Sequence, residues 1–90
     1  MASTIPQMAK VYFTDEAARA IGRLPLPIRA RAFNLIDRLK AWPEVSGAKP
    51  LSGPFAGHYR LRTGDWRVVF RAEGEAILIV KIDHRKDVYR

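Results

Sequence analysis

The stretch Phe55–Asp83, FAGHYRLRTGDWRVVFRAEGEAILIVKID, decides how the chain folds. Two glycine-containing interruptions, Thr63-Gly64 and Ala72-Glu-Gly74, cut it into three segments: Phe55 to Arg62, Asp65 to Arg71 and Glu75 to Asp83. Tight hairpin loops need the positive φ that glycine adopts freely, and the segments are rich in β-branched and aromatic residues, so they read as consecutive antiparallel strands. Side chains alternate between the two faces of a strand. Counting in twos gives one wholly apolar set, Tyr59, Leu61, Trp66, Val68, Phe70, Leu78, Val80 and Ile82, which is expected to form the core. The opposite set is His58, Arg60, Arg62, Arg67, Val69, Arg71, Ile77, Ile79, Lys81 and Asp83. Like charges facing each other across a sheet repel, so this concentration of cations implies a polyanionic ligand. Ile77 and Ile79 do not suit an exposed face and are expected to be covered by the chain termini or by a partner protein.

Working upstream, Met8 to Phe13 alternates around Val11 and Phe13 and reads as a further strand, after a polar leader, Met1 to Gln7, expected to be frayed. Thr14 is a good N-cap, with Asp15 and Glu16 in the first turn where the helix dipole favours negative charge. A first helix is expected to run to about Leu24, with Ala17, Ala20, Ile21 and Leu24 on its inner face, until Leu24-Pro-Leu-Pro27 breaks it. Pro27 can open a second helix, whose apolar positions Ile28, Ala32, Leu35, Ile36, Leu39 and Trp42 recur at helical spacing up to Trp42-Pro43. Glu44 to Pro54, rich in Gly, Pro and Ser, reads as a long loop and hence a possible functional one. The predicted architecture is α+β, in the order β-α-α-β-β-β: a mostly antiparallel sheet with a helical hairpin on one face. Residues 1–90 are read as a single domain, since this length supplies one core only.

Sixteen Lys and Arg against nine Asp and Glu give a formal charge of +7, which favours a nucleic-acid partner. The chain has no cysteine and two histidines, so neither a thiolate nor a histidine zinc site is expected, and no cofactor. No apolar run approaches the roughly 20 residues that span a bilayer, and no signal-peptide layout is visible. A cytoplasmic protein without a membrane partner is expected.

The segment Asp83–Arg90, DHRKDVYR, follows the last strand. Together with Lys49-Pro-Leu51, Tyr59-Arg-Leu-Arg62 and Gly64-Asp-Trp-Arg67, its His84-Arg85 and Tyr89 resemble, in order, the motifs of the RelE/ParE superfamily of bacterial toxins. The resemblance covers the chain from about Lys10 onward and implies a RelE-like fold. It also implies a type II toxin held inactive by a cognate, RelB-like antitoxin with an acidic or amphipathic segment, and operator DNA bound only through that complex. Active members cut mRNA on the ribosome without metal, the ribose 2′-hydroxyl attacking the adjacent phosphate. Carried over by position, Arg67 and Arg85 hold that phosphate, Arg85 also protonating the leaving oxygen, and Tyr89 orients or stacks on the substrate. Arg60 and Arg62 contact the RNA, and Arg71, Lys81 and Lys86 extend the RNA-binding set. Several active relatives carry Lys at the strand positions, and Arg is a poor proton acceptor because its pKa exceeds about 12. His84 is the candidate to replace it as general base. Two alternatives stay open: a ParE-like toxin that inhibits gyrase without nuclease activity, and an inactive RNA-binding or antitoxin-binding module.

Overall fold

Thr14 caps the first helix as its sequence predicts: its Oγ1 accepts a hydrogen bond from the Ala17 amide at 3.1 Å and donates to the Val80 carbonyl at 3.3 Å. A computed structural model describes residues 9–87. The leader Met1 to Gln7, Met8, Val88, Tyr89 and Arg90 lie outside the described residues. Strand β1 (Lys10–Phe13) leads into α1 (Asp15–Gly22), α2 (Leu26–Arg38) and a 3-10 turn at Leu39–Ala41. The second helix begins one residue before Pro27, with Pro25 at its N-cap. Strands β3 (His58–Thr63), β4 (Trp66–Glu73) and β5 (Ala76–His84) form the expected meander, and a 3-10 turn at Arg85–Asp87 follows.

The region expected to be only loop contributes two elements, a two-residue strand β2 (Lys49–Pro50) and a 3-10 turn at Gly53–Phe55. β3 therefore starts at His58 rather than at Phe55. The result is one five-stranded sheet in the order β1-β5-β4-β3-β2. β1 runs parallel to β5 and every other pair is antiparallel. Both hairpin loops hold two residues, Gly64-Asp65 and Gly74-Glu75, and in each only the first has positive φ, +59° and +60°. That pattern belongs to the type II′ turn, whose twist matches the flanking strands and whose first position favours glycine.

The helices pack their apolar faces on one side of the sheet. Ala17, Ile21, Leu24, Ala32, Leu35, Ile36 and Leu39 meet Leu61, Val68, Phe70, Ile77, Ile79 and Ile82 in one buried cluster. Leu61, Val68, Phe70 and Ile82 belong to the set expected to form the core. Ile77 and Ile79 do not, and both are fully buried in it. The cause is a β-bulge. Val69 pairs with Lys81 but Phe70 pairs with Ile79, so Val80 is an extra residue in β5. One inserted residue reverses the face of everything before it. Ile77 and Ile79 thus join the core, opposite Val11 and Phe13 of β1, while Leu78 sits beside Arg71 on the outer face. Among the described residues no helix is long and apolar enough to cross a membrane.

Candidate functional site

The side of the sheet away from the helices carries the cations, and the register sorts them into three rows. The first row is Arg62, Arg67 and Asp83 on β3, β4 and β5. The second is Lys49, Arg60, Val69 and Lys81, on β2 to β5. The third is His58, Arg71, Leu78 and Tyr12, ending on β1. Directly opposed residues of neighbouring strands share a face, so Arg60, Arg62, Arg67, Arg71 and Lys81 are gathered as the alternation predicts. Lys49 joins them, opposite Arg60. The sequence reading missed it because a two-residue strand has no periodicity to detect; the Lys-Pro-Leu motif was its only trace.

The face is not uniformly open. Arg67 was expected to be exposed and is instead 9 % exposed. It stands between Arg62, which repels it, and Asp83, whose Oδ1 lies 3.3 Å from its Nε in a buried ion pair. A guanidinium removed from water without a partner carries a large desolvation penalty, and Asp83 offsets it. Asp83 takes the Nε edge, so the two Nη groups are the guanidinium donors outside this hydrogen bond. Val69, also on this face, is buried, and the Gly53–Phe55 turn arches over the sheet so that Phe55 comes near Lys81 on β5. The Arg71 Nε lies 2.8 Å from the Glu73 carboxylate without hydrogen-bond alignment, so that contact is charge attraction alone.

At the end of the first row the chain leaves β5. The Arg85 amide donates to the Asp65 carbonyl at 2.7 Å, and the Arg85 Nη1 lies 3.7 Å from the Asp65 carboxylate. Both side chains are about 60 % exposed, so Arg85 is held loosely near the row that contains Arg67. His84 is placed differently. Its register partner is Trp66, of the core-facing set, and the two rings meet edge to face at 5.1 Å. The His84 Nδ1 accepts the Lys86 amide at 3.2 Å, which puts the proton of the neutral ring on Nε2, facing the Asp65 carboxylate at 4.0 Å. In this arrangement neither ring nitrogen offers a free lone pair, and a general-base role requires His84 to release Lys86 first. Lys86 itself is exposed in the terminal turn. Tyr89 lies outside the described residues. Among the described residues no group of His, Asp and Glu is placed to hold a metal ion.

A sheet face of arginines and lysines, closed on its other side by a helical hairpin, is suited to binding phosphates. The family model described as "ParE toxin of type II toxin-antitoxin system, parDE" matches residues 11–89. The chain belongs to this family. Within the RelE/ParE superfamily it is 32 % identical over 82 residues to Toxin RelG of Mycobacterium tuberculosis, covering 89 % of this chain and 94 % of that protein. Its fold superposes on a chain of the RelBE2 toxin-antitoxin complex of the same organism with a TM-score of 0.75 and 29 % identity, over 92 % of this chain and 95 % of that one. The isolated Escherichia coli RelE toxin has the same fold, with a TM-score of 0.72 over 90 % of each chain at 15 % identity. The chain is thus a RelE/ParE-type toxin of a type II toxin-antitoxin system, with the α+β architecture read from its sequence.

Proposed function

We propose that this toxin is a metal-independent endoribonuclease that cuts mRNA on the ribosome in the cytoplasm. The observation that carries the reading is the outer face of the sheet, where Lys49, Arg60, Arg62, Arg67 and Lys81 form adjoining basic rows that end beside Arg85. An RNA strand laid across these rows exchanges its counterions for guanidinium and ammonium groups. The ribose 2′-oxygen then attacks the neighbouring phosphorus. The O2′–P bond forms as the P–O5′ bond breaks, giving a 2′,3′-cyclic phosphate and a 5′-hydroxyl. Charge gathers on the phosphate oxygens during this step, and fixed guanidinium donors stabilise it better than mobile point charges. Arg67, held by Asp83, is the preorganised donor. Arg85, tethered among the described residues only to exposed Asp65, is placed to close on the substrate and give a proton to the departing 5′-oxygen. Tyr89 stacks on or orients the bases at the scissile step, and Arg71 and Lys86 hold flanking phosphates. The proton of the 2′-hydroxyl passes to His84 once its ring lets go of the Lys86 amide.

The same face serves for inhibition. Relatives of this fold are known as complexes of RelE with RelB, as in the archaeal complex from Pyrococcus horikoshii, one chain of which is 27 % identical to this one. An antitoxin with an acidic, amphipathic segment would neutralise the arginines, and operator DNA would be bound through that complex. Mapping new 5′ ends after adding the protein to translating ribosomes tests the nuclease reading: cuts at fixed codon positions support it, and intact messages overturn it.

A second reading is favoured by the matching family, named for ParE, and by the burial of Arg67: a toxin that inhibits DNA gyrase and cleaves nothing. A supercoiling assay with purified gyrase separates the two, since inhibition with intact mRNA supports only the second.

A further inference from the structure

The bulge at Val80 has a second effect on the outer face. It lets two consecutive residues of β5, Val80 and Lys81, line one hollow, where a regular strand would turn them to opposite sides. Thr14 and Glu16 around the start of α1, Pro54 and Phe55 of the arching turn, and His58 on β3 complete the walls. The hollow has a volume of about 370 Å³. That is within the range of sites that take small organic groups, roughly 300–1,000 Å³.

Its lining is not what core packing would select. Phe55 is 39 % exposed and is no part of the buried cluster. The His58 ring stands perpendicular to it at 5.6 Å, and the Lys81 ammonium lies 5.9 Å from its centroid. A cation over an exposed phenyl ring is weakly held and is readily exchanged for a phosphate oxygen. Lys81 also belongs to the row that leads through Val69 to Arg60, about 10 Å away at two strand spacings. A strand of RNA crossing the arginines therefore passes the mouth of the hollow.

We propose that this hollow is a pocket for an unpaired nucleobase bearing an exocyclic amine. The base stacks on Phe55 with Pro54 and Val80 beside it, its phosphate meets Lys81, and Glu16 accepts a hydrogen bond from the amine. Aromatic side chains stack on any base, whereas a carboxylate can only accept, which selects the amine of cytosine over the carbonyl of uracil. This inference rests on the reading of the outer face as an RNA site, and its test separates the two.

The full chain is titrated with short 2′-O-methyl oligocytidine and oligouridine strands, which lack the attacking hydroxyl and cannot be cleaved by it. The wild type should prefer oligocytidine severalfold. Phe55→Ala should weaken binding to both strands about tenfold, the loss typical of removing one stacking platform, and Phe55→Trp should restore it. Glu16→Gln should erase the preference for cytidine. Phe55 lies outside the core, so circular dichroism should show each variant folded. If Phe55→Ala binds as the wild type does, with affinity still falling as salt is added, the pocket is overturned and the RNA face stands. If the wild type shows no salt-dependent binding to either strand, the RNA reading fails and the pocket fails with it.

Discussion

Two arginine–aspartate pairs stand near one another at the same end of the sheet, Arg67 with Asp83 and Arg85 with Asp65. In the first the side chains are 11 % and 9 % exposed, and strand register holds them opposite each other. In the second both are about 60 % exposed and one partner lies in a terminal turn. Buried, a pair is costly to make and more costly to break by halves; exposed, it is screened and nearly neutral. The contrast assigns them different work. The Arg67 pair fixes a charge in place, and the Arg85 pair leaves one free to move.

The largest effect expected from this contrast is on stability. Asp83→Ala leaves the Arg67 guanidinium buried and unpaired and should cost roughly 3–5 kcal/mol. At about 4–8 °C per kcal/mol for a domain of this size, thermal unfolding should fall by well over 10 °C. Joint replacement, Arg67→Met with Asp83→Leu, should recover most of that loss while abolishing cleavage, since apolar residues of similar volume replace a buried pair at little cost. An unchanged melting temperature in Asp83→Ala would erase the distinction between the two pairs.

Arg85→Ala should do the reverse. Loss of one transition-state contact lowers the cleavage rate about a hundredfold, near 3 kcal/mol, with stability within about 1 kcal/mol of wild type. Single-turnover cleavage and denaturant titration of the same preparation read both numbers. Asp65→Asn should shift stability by no more than about 1 kcal/mol, and by less at high salt, where exposed charges are screened. Smallest of all is the effect of chelation: cleavage of an RNA that does not itself need magnesium should be unchanged by EDTA, and strict metal dependence would contradict the proposed chemistry.

What could be read in advance was whatever depends on near neighbours in the chain. Thr14 as a cap, glycines 64 and 74 as hairpin hinges and the face alternation of β3 and β4 all follow from spacings of a few residues. The bulge does not, because Val80 becomes an extra residue only relative to a partner strand. Its trace was the misfit of Ile77 and Ile79, two large apolar residues assigned to a charged face. The burial of Arg67 escaped for the same reason. Asp83 stood in the same alternation set, yet only the register shows it directly opposite Arg67. Lys49 and the arching turn at Gly53–Phe55 were hidden in a segment with no period, and Phe55 was read as strand rather than as the wall of a hollow.

The parallel pairing of β1 with β5 also sets the order in which the molecule can be completed. β1 is made first and β5 last among the strands, with both helices and three strands between them, so this contact closes a loop that is nearly the whole domain. Such distant pairings are entropically the slowest to form. The β3–β4–β5 meander, joined by two-residue turns, can assemble by itself, whereas β1 has no strand to join until β5 exists. Phe13 and Val11, packed against Ile79 and Ile77, then seal the apolar edge. During synthesis the helical hairpin emerges after β1 but before the other four strands of the sheet it covers, and Arg67 and Asp83 become neighbours only after β5 has left the ribosome.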